Sequence, residues 1–365
     1  MKKKIMSIVL ILVLVMGMST TPMAATEVGE IVGEDIGVII GDVIGYEVEL
    51  IGRGEIIGYE VEIATGIETL VRATPRTRVE EDTYSPAAPM GRTIAPSDAK
   101  AIEHLQELGI IDCDGNFSYE ALVAIPAFDM QIAEPSGISA FNVLTDNRTR
   151  VTTTTVAPYA RIGHIVVTFE RADHLGPDRR ATAYVMGRNL AVTNAHVLHQ
   201  PQLGRIMSIT FIPGSNGTAQ APWGVFAGTH FMVPTAFHNN PDHNDWGTVT
   251  FANDLGLGWL GMRRNTAVAV NTNIRAIGYP HHVRGASVMR QMFAGSGRVT
   301  QVQTTGTNNR IHVNAIVSVG NSGSPVLDGS IVVGTIAWQV GHGDFGTGIA
   351  IGYHTAKWDR VMLAR

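Results

Sequence analysis

The chain has 365 residues, 45% hydrophobic and 16% charged, too apolar and too sparsely charged for a disordered polypeptide. Its 40 Gly and 16 Pro suit a turn-rich β protein, and its single Cys excludes an internal disulfide framework and any Cys-based zinc or iron–sulfur site. The net charge of −5 argues against a chain built for nucleic acid, but it hides a division: residues 1–142 carry 9 Lys+Arg against 22 Asp+Glu (net −13), and residues 143–365 carry 18 against 10 (net +8).

Lys2, Lys3 and Lys4 precede a run from Ile5 to Met18 that is apolar except for Ser7 and Gly17, and Ala24 and Ala25 follow. A basic start, a short greasy stretch and small residues predict a secretory signal peptide over residues 1–25. The run is 14 residues long, short of the about 20 that a membrane span needs. An extracellular protein with no stable membrane association is expected. The near absence of Cys points to bacterial export of the Gram-positive type.

Residues 26–142 form the acidic piece. Ile44-Gly45-Tyr46-Glu47-Val48-Glu49-Leu50 returns 13 residues later as Ile57-Gly58-Tyr59-Glu60-Val61-Glu62-Ile63. The alternation of apolar and acidic residues predicts short strands with one acidic face. Residues 73–97 have the composition of a linker. Ala99–Leu108 fits an amphipathic helix stopped by Gly109. Cys113, the only thiol, carries no readable role.

From about residue 143 the texture changes. Strands are predicted at Ile162–Phe169, Ala181–Met186, Met207–Ile212, Gly247–Phe251, Asn273–Tyr279, Ile311–Val319 and Ile331–Trp338, separated by Gly, Pro and Asn. A helical pattern occurs only at His354–Leu363. Many short strands with turn punctuation indicate a sandwich or barrel, and the stretch is long enough for two small barrels.

Three stretches carry chemistry. In Gly320-Asn321-Ser322-Gly323-Ser324-Pro325-Val326 a serine sits between glycines, which allow a sharp turn and close approach of a substrate. The N–H groups of Gly320 and Ser322 can form an oxyanion hole. An α/β-hydrolase elbow would need a helix next; Pro325 and strand-like Val326-Leu327 follow instead. Thr193-Asn194-Ala195-His196-Val197 ends a β-like run with a His, and Asn244-Asp245-Trp246-Gly247 opens one with an Asp that can orient an imidazole. Each alone is weak. Together they stand in the order His196, Asp245, Ser322, the order of the chymotrypsin type.

With the triad in place, the segment from Val143 to the end resembles a bacterial glutamyl endopeptidase of the trypsin-like superfamily. Arg148-Thr149-Arg150-Val151 with Val156-Ala157-Pro158-Tyr159 is similar to the start of its mature form. Ile212-Pro213-Gly214-Ser215-Asn216-Gly217 with Ala221-Pro222-Trp223-Gly224, and Ile277-Gly278-Tyr279-Pro280, match two further stretches. The resemblance implies an all-β fold: a chymotrypsin-like pair of six-stranded antiparallel β-barrels with a C-terminal helix, over residues 143–365. It implies that 26–142 is a propeptide and that Ser322 is nucleophile, His196 base and then acid, and Asp245 its orienter. Gly320 and Ser322 would supply the oxyanion N–H groups, and Trp338 would lie on the strand that pairs with substrate backbone.

Two departures bear on specificity. Glutamate-specific members place a His where Ala337 stands and a Thr where Val317 stands. Both losses remove polar partners of a buried carboxylate, which then costs several kcal/mol. An apolar P1 residue is therefore expected, with His342 as the rival means of keeping an acidic preference. Ala181 and Val197 occupy the positions of a disulfide found in some members. Asn321 stands where trypsin-like zymogens have an Asp that pairs with the new α-amino group, so that ion pair is absent. The opposite charges of 26–142 (net −16) and 143–365 suggest that the propeptide docks partly by electrostatics. His238, Asp242, His243 and His281-His282 make no zinc pattern, and no metal or cofactor is expected. The partners implied are polypeptide substrates and the chain's own propeptide, with no nucleic acid, and a monomer is expected. The rival from another class is a binding or toxin-like protein on the same fold with narrow or no proteolysis.

Overall fold

A computed structural model describes residues 56–72, 84–85, 98–128, 131–133 and 145–361, the last stretch apart from 174, 217–220, 264–267, 284–285, 288–290, 306–307, 342–344, 353–356 and 358–359. The signal peptide, the first copy of the repeat, the Asn142–Val143 junction and His342 fall outside the described residues. So does most of the predicted C-terminal helix, of which Lys357, Arg360 and Val361 are described and helical.

The N-terminal part contributes β1 (Ile56–Glu62), β2 (Glu68–Arg72), β3 (Tyr84–Ser85), α1 (Ala99–Glu107), α2 (Tyr119–Ala124) and β4 (Gln131–Ala133), followed by β5 (Thr149–Arg150). A first set of strands follows: β6 (Ile162–Asp173), β7 (Gly176–Gly187), β8 (Leu190–Thr193), β9 (Ile206–Pro213), β10 (Phe226–Val233) and β11 (Gly247–Phe251). Three short helices interrupt it: α3 (Ala195–Leu198), α4 (Thr235–Asn239) and α5 (Pro241–Asn244). After β12 (Gly261–Arg263) come β13 (Asn273–Gly278), the small β14 (His282–Val283) and β15 (Ala286–Ser287), β16 (Phe293–Thr305) and β17 (Asn308–Val317). Last are β18 (Pro325–Asp328), β19 (Ile331–Val340) and β20 (Gly346–Gly352).

The strands close into two six-stranded antiparallel barrels. The first runs β11-β8-β7-β6-β9-β10 and closes through β10–β11. The second runs β18-β13-β16-β17-β20-β19 and closes through β18–β19. Side chains alternate as a pleated strand requires. On β6, Ile165, Val167 and Phe169 fill the first barrel with Ile209, Phe211 and Val249. Val166 points the other way, and so does Ile212 on β9.

That outward apolar face needs a cover, and the N-terminal part supplies it. Ala101, Leu105, Ile110, Phe117, Leu122 and Ile125 pack with Val166, Ile212, Val225 and Ala227. Leu105, Ile110 and Leu122 are fully buried, each contributing about 1.5–3 kcal/mol of transfer free energy. The α1 helix starts at Asp98, whose carboxylate caps the Lys100 N–H (2.9 Å), and stops before Gly109 at φ +67°, as its sequence predicts. The second repeat copy is β1, which adds to β10 and carries β2. The linker is not wholly plain: Tyr84–Ser85 pairs with β12. The cover is therefore mainly apolar. The Glu60–Arg360 ion pair is one charge contact across it.

Candidate active site

The register of β8 against β11 sets Thr193 opposite Gly247. Asp245, two residues before Gly247, thus comes beside His196, which sits in α3 just after β8. The contact is double: Asp245 Oδ2 lies 2.6 Å from His196 Nδ1, and Oδ1 accepts the His196 backbone N–H at 2.9 Å. Ring and backbone are held together, which fixes the imidazole with Nε2 outward. Asn194 Nδ2 donates to the Asp245 carbonyl (2.7 Å), anchoring it from the other side. His196 Nε2 is 3.0 Å from Ser322 Oγ. The three residues that the sequence singled out form one hydrogen-bonded chain.

Ser322 sits on the loop between β17 and β18. Asn321 staples this loop: its Oδ1 accepts the Ser318 N–H (3.2 Å) and its Nδ2 donates to Ser324 Oγ (3.1 Å). Gly320 and Gly323 have φ of +90° and +84°. A Cβ at Gly320 would strike the Tyr279 carbonyl, and one at Gly323 the Thr182 carbonyl. Among the described residues, no partner takes the N–H of Gly320 or of Ser322. Both are available to an oxyanion.

Thr182, which sequence reasoning missed, joins the first barrel to this loop. Its N–H donates to the Ser322 carbonyl (2.9 Å) and its Oγ1 to the Gly320 carbonyl (2.9 Å). A second unforeseen group lies near Asp245. Lys357 is fully buried, donates to Thr335 Oγ1 (2.6 Å) and lies 6.0 Å from the centre of the Trp246 ring. Burial pushes its ammonium well below the usual lysine range, and Asp245 opposes that shift. Thr335 Oγ1 also meets Tyr184 OH at 2.6 Å. Lys357 is the only lysine after residue 142, which was the available signal.

The other expected positions divide clearly. Val317 and Ala337 are wholly buried in apolar clusters, Ala337 with Trp338. Ala181 and Val197 pack in the core of the first barrel. Asp242, the carboxylate three residues before Asp245, is exposed and faces Arg310 (3.6 Å). His238 meets His199 edge to face, and His281 lies tilted against His282. Among the described residues no three His, Cys, Asp or Glu side chains are grouped to hold a metal.

Comparison with known proteins gives the same direction. The trypsin-like peptidase domain family matches residues 181–333, a stretch holding His196, Asp245 and Ser322. Over that stretch the chain is similar to trypsin-like peptidases. The chain is similar to a glutamyl endopeptidase of Bacillus licheniformis, 27% identical over 188 residues, 51% of this chain and 54% of that protein. It is also similar to a Bacillus subtilis protein named as an extracellular metalloprotease, 28% identical over 156 residues, 42% of this chain and 47% of that one. The chain thus spans about half the length of the curated relatives it matches. A solved structure of a Glu endopeptidase with MPD superposes at a TM-score of 0.50 with 24% identity, over 60% of this chain and 97% of that one. It supports the double-barrel fold.

Proposed function

We propose that the chain is a secreted serine endopeptidase made as a precursor, a zymogen whose residues 1–25 are a signal peptide and 26–142 a propeptide removed near Val143. One observation carries the activity: the unbroken chain Asp245 Oδ2–His196 Nδ1, His196 Nε2–Ser322 Oγ beside the N–H groups of Gly320 and Ser322. In this reading His196 Nε2 takes the Ser322 proton as Oγ attacks the scissile carbonyl, and the oxyanion forms against the two N–H groups. The tetrahedral species collapses, His196 gives its proton to the leaving nitrogen, and an acyl-Ser322 ester remains. Water, activated by the same imidazole, then releases the acid. Asp245 steadies the imidazolium.

Ser322→Ala is expected to abolish hydrolysis of a denatured protein substrate, and Asp245→Asn to lower kcat by roughly 10⁴. A near-normal Asp245→Asn enzyme would move the orienting role elsewhere. The apolar surroundings of Val317 and Ala337 favour an apolar P1 residue, since a carboxylate placed there would lack partners. Profiling cleavage of a mixed peptide library by mass spectrometry tests this. Cuts after apolar residues support the pocket, and cuts after Glu overturn it while leaving the triad intact.

A further inference from the structure

The two strand edges that flank the nucleophile loop are already occupied. At the second barrel, Trp338, Gln339 and Val340 of β19 pair with Gln131, Ile132 and Ala133 of β4 in a parallel ladder. At the first, the Phe128 N–H donates to the Arg180 carbonyl (3.0 Å) and the Arg180 N–H to the Pro126 carbonyl (2.9 Å), a parallel bridge centred on Ala127. Arg180 Nε also donates to the Ile125 carbonyl (3.0 Å). Both edges adjoin Ser322. Two residues beyond Arg180, Thr182 donates to the Ser322 carbonyl, and two residues before Trp338, Ile336 accepts the Gly323 N–H (3.0 Å). The Phe128 ring meets the His196 ring edge to face, centroids 6.1 Å apart, and Ser322 is wholly buried.

Polarity separates this segment from a substrate. During acyl transfer His196 delivers a proton to the leaving nitrogen, so the C-terminal half of a substrate lies on the first-barrel side, along Arg180. The acyl half stays on Ser322, its backbone along Trp338. A substrate thus runs from β19 toward Arg180, antiparallel to both edges. Residues 126–128 lie along Arg180 and residues 131–133 along β19, each parallel to its edge, so the chain order runs from Arg180 toward β19.

We propose that the stretches 126–128 and 131–133, on the two edges, are reversed occupants of the catalytic cleft and form an intramolecular inhibitor that Ser322 does not cut; this rests on the peptidase reading above. Reversal exchanges the sides on which a peptide carbonyl and its nitrogen fall. A carbonyl brought to Ser322 has its nitrogen toward β19, away from His196 Nε2, and the leaving group has no proton donor. The segment is tethered to α1 and α2, so it competes at an effective concentration on the order of millimolar.

The test uses the full precursor, residues 26–365, and the variants Phe128→Ala and Ile132→Pro in it. Phosphonylation of Ser322 by a fluorophosphonate is followed in time. Hydrogen exchange of the 126–133 and 338–340 peptides and the masses of the fragments formed are read alongside. Labelling at least tenfold faster in both variants, joint loss of protection in the two peptides, and no Ser322-dependent cut within 126–133 support the proposal. Equal labelling of precursor and variants overturns it. So does a cut within 126–133 that Ser322→Ala abolishes, because that requires substrate polarity. Joint protection that the variants release, with no labelling of any chain, supports the occupancy and sinks the peptidase reading instead.

Discussion

Gly323 shows how narrowly the nucleophile loop is drawn. Its φ of +84° and the Thr182 carbonyl against its Cα leave no place for a side chain. Gly323→Ala combines strain at positive φ with a backbone collision and is expected to cost about 2–5 kcal/mol, with loss of activity, read by denaturant midpoint and peptide hydrolysis. Thr335→Val removes one acceptor of the buried Lys357 ammonium and a partner of Tyr184, and should cost about 1–3 kcal/mol by the same measurement. The three residues of the hydrogen-bonded chain were legible because each has a local context: a strand end for His196, a strand start for Asp245, glycines for Ser322. Thr182 and Lys357 have none. Their partners, Ser322 and Thr335, are distant in sequence and come together only when the barrels close.

Among the elements, α1 carries the titrating group. His104 is buried, with Nδ1 at 2.7 Å from Thr210 Oγ1 and Nε2 at 2.8 Å from Thr168 Oγ1 and from Ser208 Oγ. Thr168 gives its own proton to Asp178 (2.6 Å), so His104 Nε2 donates to Thr168 and Nδ1 accepts from Thr210. Burial pushes this imidazole down to about 4, against the opposing pull of Asp178. Its pKa in the unfolded or undocked chain is near 6.5. The docked state therefore binds fewer protons between these values, and its stability is full above pH 6.5 and is lost as pH falls toward 4. The loss is about 3 kcal/mol. The protection of α1 against hydrogen exchange, relative to the intrinsic exchange rate, should fall as pH drops through that window, and His104→Gln should flatten the fall. The apolar runs made β6, β7, β9, β11, β13, β17 and β19 legible. Of the barrel strands, β10, β16 and β20 were not read. Glycine weakens the strand signal in each, yet Gly295 and Gly297 on β16 lie where a Cβ would press on Ile316 O (2.6 Å) and Ala315 N (2.5 Å). Close crossing of strands, a property of the closed barrel, required what local propensity disfavours.

At the scale of the molecule, composition separated an acidic piece from a basic one, and it suggested that charge contributes in part to their docking. The contact is instead built mainly from Leu105, Ile110 and Leu122 against Val166, Ile212 and Val225. Exposed charge pairs are screened within about 8–10 Å at moderate salt, whereas apolar burial is not. Raising NaCl from 50 mM to 1 M is therefore expected to leave the protection of α1 and α2 within about twofold, and a tenfold loss would restore charge as the main force. The outward-facing apolar residues that demand a cover were in the sequence, at Val166 and Ile212, but the second face of a strand announces its partner only once the barrel is closed. The Asn142–Val143 junction lies C-terminal to every element of the cover, from β1 to β4. Scission there unties the chain without removing a single one of those contacts. The immediate product would be a nicked two-piece complex with its cleft still filled, and activity would emerge after a lag. The lag would shorten on dilution, or with a second cut upstream of Ile125, because escape of the severed piece rather than scission would set the pace.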